Sequence, residues 1–84
     1  MSENKEIVVL SAVRTAIGTY GGSLAGTPPT ELAATCVKAA VERAGIEPAD
    51  VGHAAFGNVI HTEPKDMYLS RVAAVRGGLP VETP

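Results

Sequence analysis

The chain reads as an α/β protein in the order β-α-β-α, and three observations predict it. Two short runs, "EIVVLSAV" and "DVGHAAFGNVI", are apolar at both parities, the pattern of strands buried on both faces. Each is followed by a segment whose apolar residues recur at helical spacing. A strand-helix-strand connection in one sheet is nearly always right-handed, so the two strands are expected to be parallel neighbours with both helices on one face.

In the first predicted strand Ile7, Val9 and Val13 face one way and Val8, Leu10 and Ala12 the other. The stretch "RTAIGTYGGSLAGTPP" follows, and Gly18, Gly21, Gly22 and Gly26 with two prolines make it a loop. No GxGxxG fits these glycines and no Gly-Lys-Ser/Thr follows them, so they read as turn-formers and not as a phosphate cradle. In "TELAATCVKAAVERAG" the period changes: Leu32, Ala33, Cys36, Val37, Ala40 and Ala44 share a face opposite Glu31, Thr35, Lys38 and Glu42. Thr27 and Pro28 suit the N-cap and first turn of this helix, Gly45 its left-handed stop, and Pro48 bars continuation.

The second predicted strand carries small residues where neighbouring backbone can approach closely. A second helix is expected within "PKDMYLSRVAAVRGG", with Tyr68, Leu69, Val72, Ala73 and Val75 as its buried stripe. Asp66 then lies near the positive end and Arg71 and Arg76 toward the negative end, while Gly77 and Gly78 close the helix. Leu79, Pro80 and Val81 read as the approach to another strand, so the chain looks interrupted. Two strands apolar on both faces, with helices for one face only, leave a layer uncovered. The expectation is therefore a part of a larger α/β fold.

Composition narrows the functional classes. Eighty-four residues bury roughly 60 to 65% of the unfolded surface, which is marginal without a staple, and the single Cys36 provides no internal disulfide, zinc spacing or CxxC pair. A formal net charge of −2 with mixed signs offers no basic stripe, which argues against nucleic acid or a membrane as partner. The polar "MSENKE" start has no signal-peptide character and no window reaches the length of a membrane span, so a soluble protein of the cytoplasm is expected.

Candidate site residues are few. His53 and His61 are eight apart and on opposite parities, which is not a metal-ligand spacing, and His53 reads as structural. Asn58, His61 and Thr62 fall at the carboxyl end of the second strand, and Arg14 and Thr15 at that of the first. This is the rim where open parallel sheets collect ligands, although a plain loop role accounts for these residues too. Asp50, Glu63 and Asp66 suit capping. Cys36 lies mid-helix on the apolar stripe, with no helix N-terminus or basic neighbour to lower its pKa, and reads as an inert buried thiol. No nucleophile, base and oxyanion donor come together, so no catalytic, cofactor-binding or metal-binding residue is assigned.

Taken together, "VVLSAVRTAIGTYGGSL", "ELAATCVKAAVERAGI", "VGHAAFGNVI" and "SRVAAVRGGLP" resemble the N-terminal region of thiolases of the bacterial β-ketothiolase (acetyl-CoA acyltransferase) kind. The resemblance runs from Ile7 to Pro80 without a gap, and Arg14-Thr15-Ala16-Ile17-Gly18 followed by Gly21-Gly22 is its most specific stretch. It implies that residues 1–84 are the N-terminal part of the first thiolase half-domain, a partial domain. It implies further that the acyl-accepting cysteine, in an Asn-x-x-Cys-Gly-Ser-Gly element, lies beyond Pro84, with Cys-Gly-rich and Gly-His-Pro elements further on. The 84-residue chain alone is then expected to be inactive.

For the whole enzyme the resemblance implies a reversible Claisen exchange through a cysteine acyl-enzyme, with coenzyme A thioesters as substrates and no metal or separate cofactor. The implied partners are the remainder of the polypeptide, acyl-CoA and identical subunits in a homodimer or homotetramer. The segment "HTEPKDMY" replaces the Gly-, Asn- and Gln-rich segment of many thiolases. It resembles the branch acting on longer β-ketoacyl-CoA and supplying polyhydroxyalkanoate precursors, alongside fatty acid metabolism. His61 and Met67 are its candidate pocket or interface rim. The alternative is a stand-alone, non-catalytic α/β module that binds a partner through its open sheet face.

Overall fold

Two prolines decide where the first helix begins. The residue before a proline is sterically kept out of the α region, so Pro28, followed by Pro29, stays extended at φ −61°, ψ 144° and forms the N-cap. Helix α1 therefore starts at Pro29 and runs to Ala44. The expected cap, Thr27, lies one residue too early, and no side chain caps this end. At the other end Gly45 takes the left-handed conformation, φ 72°, as its position required, and its N–H donates to the Glu42 carbonyl at 3.2 Å.

The computed structural model describes residues 6–84. The polar start, read as lacking a signal peptide, lies outside them except for Glu6. After α1 come a 3₁₀ turn at Pro48–Asp50, a second at Pro64–Tyr68, and helix α2 at Leu69–Arg76. The expected single helix from residue 64 is thus split, its first five residues being wound more tightly. Gly78 ends α2 at φ 102°, and the Leu79 N–H reaches back to the Ala74 carbonyl at 2.9 Å, the six-residue ring of a Schellman ending.

Helices α1 and α2 pack against each other. All six residues read as the apolar stripe of α1 are half-buried and the four opposite them are exposed, so that helix lies as its periodicity requires. Cys36 is accordingly half-buried, not enclosed. On α2 the buried pair is Ala73 and Ala74; Tyr68 and Val75, expected in the stripe, are exposed. The reason is geometric. Small residues let the helices approach, and Gly77 lies so close to α1 that an added Cβ would fall 2.6 Å from Val37 Cβ.

Among the described residues no strand forms. Residues 6–13 and 50–60, the two expected strands, carry no regular element apart from Asp50, the last residue of the first 3₁₀ turn. A strand exists only through hydrogen bonds to a neighbour, and no ladder joins these two. In the first, residues 6–10 are all exposed, and burial alternates only from residue 11 onward: Ser11, Val13 and Thr15 are half-buried while Ala12, Arg14 and Ala16 are exposed. The Ser11 hydroxyl donates to the Ala40 carbonyl of α1 at 2.8 Å. The second segment meets the end of the chain, where the Ala54 N–H donates to the Pro84 carbonyl at 2.9 Å.

Most large apolar residues of the expected strands remain in water, Ile7 being 98% and Val59 94% exposed, while Val13 and Val51 are half-buried. Buried apolar residues among those described are Ala73, Ala74 and Leu79, a small core. A radius of gyration of 14.6 Å, against about 12 Å for a compact domain of this length, expresses the same openness. No helix is long and apolar enough to cross a membrane among the described residues.

Candidate functional site

The turn that opens at Glu63 is organised by one carboxylate. Asp66 Oδ2 accepts from the Thr62 N–H and the Thr62 hydroxyl, both at 2.7 Å, and from the Glu63 N–H at 3.1 Å. Glu63 and Asp66 together form a capping box over the 3₁₀ turn. The Thr62 hydroxyl, then its N–H, hold the Asp66 carboxyl below its ordinary value of 3.8; burial opposes them, and the Glu63 N–H and the charge of His61 add to them. Asp66 is 1% exposed, and its second oxygen, Oδ1, is buried with no hydrogen-bond partner among the described residues. The Asn58 side-chain amide donates to the Asp66 main-chain carbonyl at 3.4 Å, tying the end of the second extended segment to this turn.

The result is a cleft of about 320 Å³ lined by Phe56, Asn58, His61, Asp66, Met67 and Arg71, among others. It unites three of the residues read as rim, namely Asn58, His61 and Met67, with a phenyl wall and a guanidinium. Met67 is 68% exposed and His61 is exposed, so both stand at the mouth. Amide and imidazole groups around an apolar wall suit recognition of a polar, partly apolar ligand.

The other candidates go elsewhere. Arg14 and Thr15 line a separate cleft of about 620 Å³ with Arg43 of α1, so the two strand ends do not share one site here. Thr62 and Glu63 also border a third cleft, against Gly26 to Pro29. His53 is exposed and Cys36 half-buried, and neither lines any of the three. No group of three or more His, Cys, Asp or Glu side chains is gathered as for a metal among the described residues.

Sequence reasoning missed Arg71. Its place in the helical pattern predicts a charge toward the negative end of α2, yet its guanidinium donates to the Thr83 carbonyl at 2.5 Å and to the Val81 carbonyl. No helical period signals a bond across ten or twelve residues.

The sequence profile described as thiolase, N-terminal domain, matches residues 7–84. The chain belongs to the thiolase family. It is 59% identical over 80 residues to the "Beta-ketothiolase BktB" of Cupriavidus necator, a match covering 95% of this chain and 20% of that relative. It is 44% identical over 79 residues to an "Acetyl-CoA acetyltransferase" of the same organism, covering 94% and 20% of the two chains. A mitochondrial "Acetyl-CoA acetyltransferase" of Mus musculus is 40% identical over 79 residues, covering 94% and 18%. The thiolase segment described here thus spans about a fifth of the length of these relatives. The resemblance read from the motifs is confirmed, and with it a thiolase-like α/β fold class.

Proposed function

We propose that residues 1–84 are the N-terminal segment of a thiolase acting on acyl-CoA and β-ketoacyl-CoA, an acyltransferase as the complete protein. The observation that carries this reading is the match to the thiolase N-terminal domain over residues 7–84, joined to 59% identity with a beta-ketothiolase. In this reading the expected strands at residues 6–13 and 50–60 pair in parallel once the remainder of the polypeptide covers the face opposite the two helices. The exposed Ile7 and Val59 are what such a cover would bury.

The proposed reaction runs in two steps. A cysteine thiolate, carried by the chain that follows position 84 in the longer thiolases, attacks the thioester carbonyl of an acyl-CoA; the coenzyme A thiolate departs and is protonated. A second acyl-CoA then loses an α-proton to a base, its carbanion attacks the acyl-enzyme carbonyl, and the cysteine thiolate is released with the β-ketoacyl-CoA. Hydrogen-bond donors stabilise the oxyanions at both stages. The substrates carry their own coenzyme A, and no separate cofactor enters the scheme. The present segment forms scaffold and rim: His61 and Met67 border the acyl pocket or a subunit interface and tune substrate length. A cytoplasmic homodimer or homotetramer, supplying fatty acid or polyhydroxyalkanoate metabolism, completes the proposal.

A chimera tests it. These 84 residues replace the matching N-terminal fifth of the Cupriavidus necator beta-ketothiolase, and thiolysis of acetoacetyl-CoA is measured before and after thiol alkylation. Activity abolished by alkylation is expected, with none from the 84 residues by themselves. A folded, inactive chimera overturns the reading, as does an 84-residue chain that is monodisperse and melts cooperatively, which favours the stand-alone interaction module.

A further inference from the structure

We infer that Arg71 is a positioning residue, whose guanidinium sets the register of residues 81–84 against the second extended segment and so the point from which the acyl-accepting cysteine emerges. The second half of this statement rests on the proposed function; the first does not.

Three anchors converge on the last four residues. The Arg71 guanidinium donates to the carbonyls of Val81 and Thr83. The Thr83 N–H donates to the Pro80 carbonyl at 3.1 Å, closing a turn, and the Ala54 N–H donates to the Pro84 carbonyl at 2.9 Å. Thr83 is 5% exposed, so its polar backbone groups need partners inside the protein. No backbone N–H outside the helices reaches the Val81 or Thr83 carbonyl among the described residues, so Arg71 is what satisfies the buried Thr83, while Val81, itself exposed, is held by the same guanidinium at the surface.

The choice of side chain matters. A guanidinium is planar, always charged and presents several donors in a fixed fork, so it can hold two carbonyls at once and define the angle between them. Lysine offers one compact charge on a flexible stem and cannot fix that angle. Arg71 is itself held by α2, whose exit is locked by the Ala74–Leu79 bond and whose inner face rests on α1. The clamp therefore passes the position of the helix pair to residues 81–84, and through Pro84 to Ala54. A nucleophile carried onward from that point inherits the placement, and a misplacement of about 1 Å is enough to cost on the order of 100-fold in rate.

The test uses the full-length chimera carrying Arg71→Ala or Arg71→Lys. Amide hydrogen exchange at Ala54 reads the register directly, and steady-state kinetics read its consequence. Arg71→Ala should speed Ala54 exchange by about tenfold or more and lower kcat by about 10- to 100-fold, with the KM for acetoacetyl-CoA changed by less than about twofold. Arg71→Lys should fall between parent and Arg71→Ala in both readouts, and it decides the matter if the alanine variant fails to fold. Unchanged Ala54 exchange in both variants overturns the clamp. Faster Ala54 exchange with kcat intact, or a raised KM with kcat intact, overturns its link to the reaction. If the unsubstituted chimera is inactive, the proposed function falls by itself, and Ala54 exchange still decides the clamp.

Discussion

Replacing Gly77 by alanine sets two opposed effects against each other at one atom, and the structure decides their sign. Gly77 sits at φ −80°, ψ −1°, a conformation alanine adopts without strain. On backbone grounds alone the change should stabilise by about 0.4 to 1 kcal/mol, through the lower entropy of the unfolded chain. The added Cβ, however, would stand 2.6 Å from both Cβ and Cγ1 of Val37 and 2.9 Å from the Ala73 carbonyl oxygen. Comfortable carbon-carbon contact begins near about 3.5 Å, so the overlap is close to an ångström. Val37 Cβ is fixed to the α1 backbone and no rotamer change moves it aside; the helices must part. Overpacking of this kind costs about 1 to 3 kcal/mol, leaving a net loss on the order of 1 to 2 kcal/mol.

Amide exchange of residues 29–44 and 69–76 in the chimera reads the opening free energy of this helix pair, and should quicken by a factor of about 5 to 30 in Gly77→Ala. Val37→Ala removes the Cγ1 overlap and leaves the Cβ overlap. The two substitutions together should therefore cost about 0.5 to 1 kcal/mol less than their sum. A Gly77→Ala protein protected as well as the parent, or strict additivity with Val37→Ala, would refute the close approach of α2 to α1.

Asp66 titrates from a depressed value, so its contribution to stability is fully present above the ordinary carboxylate value of 3.8 and is lost as pH falls through the lower folded value. Asp66→Asn should remove that part of the acid limb, seen as a flatter loss of melting temperature between about pH 5 and pH 2 than in the parent; parallel curves would show that the carboxylate gains nothing from Thr62 and Glu63. Cys36→Ser should leave chimera turnover unchanged and cost about 1 kcal/mol or less, given a half-buried site; loss of acyl-enzyme formation would place the nucleophile on α1. Met67→Ala or His61→Ala should change the ratio of kcat/KM between acetoacetyl-CoA and a longer β-ketoacyl-CoA by about 3- to 10-fold while kcat for the better substrate holds. Equal losses of several orders of magnitude for both substrates would make the segment catalytic, and no change would make it plain surface.

What could be read from the sequence divides along the range of the forces involved. Helix α1 was legible because its determinants are local: Gly45 needs only its own φ, and the alternation of Leu32, Cys36 and Val37 with Glu31 and Lys38 states which side turns inward. Even the one-residue error at Thr27 is local, since Pro29 restricts Pro28. On α2 the apolar period pointed to Tyr68 and Val75, whereas the buried residues are Ala73 and Ala74; packing chose small residues over large ones, and period alone does not weigh size. The strand segments show the opposite limit. Their apolar character at both parities was plain, but a strand is a relation between two segments, and the hydrogen bonds that define it depend on neighbours that the segment's own residues do not specify. Of the site, His61 and Asn58 were named together as neighbours at the end of an expected strand, a strand that does not form among the described residues. The Arg71 bonds to Val81 and Thr83 were not, because nothing in a helical repeat marks a donor for a carbonyl twelve residues on.

The two polar devices of this segment lie five residues apart, Asp66 in the 3₁₀ turn and Arg71 in the first turn of α2. Asp66 ties the entry of the 64–76 segment to Thr62 and Glu63, and Arg71 ties its body to Val81 and Thr83 beyond the exit. Both side chains also line the cleft whose mouth carries His61 and Met67. The cleft is consequently bounded by two hydrogen-bonded anchors that fix backbone, while the residues at its mouth are exposed and make few demands on the fold. That division has a physical consequence for sequence change: a substitution at His61 or Met67 alters what the cleft presents without moving its frame. A substitution at Asp66 or Arg71 moves the frame, and through the Ala54–Pro84 bond it reaches the second extended segment as well. Under the proposed function, variation in substrate preference is expected at positions 61 and 67, whereas substitution of the anchors at 66 and 71 is expected to register as lost turnover or lost stability.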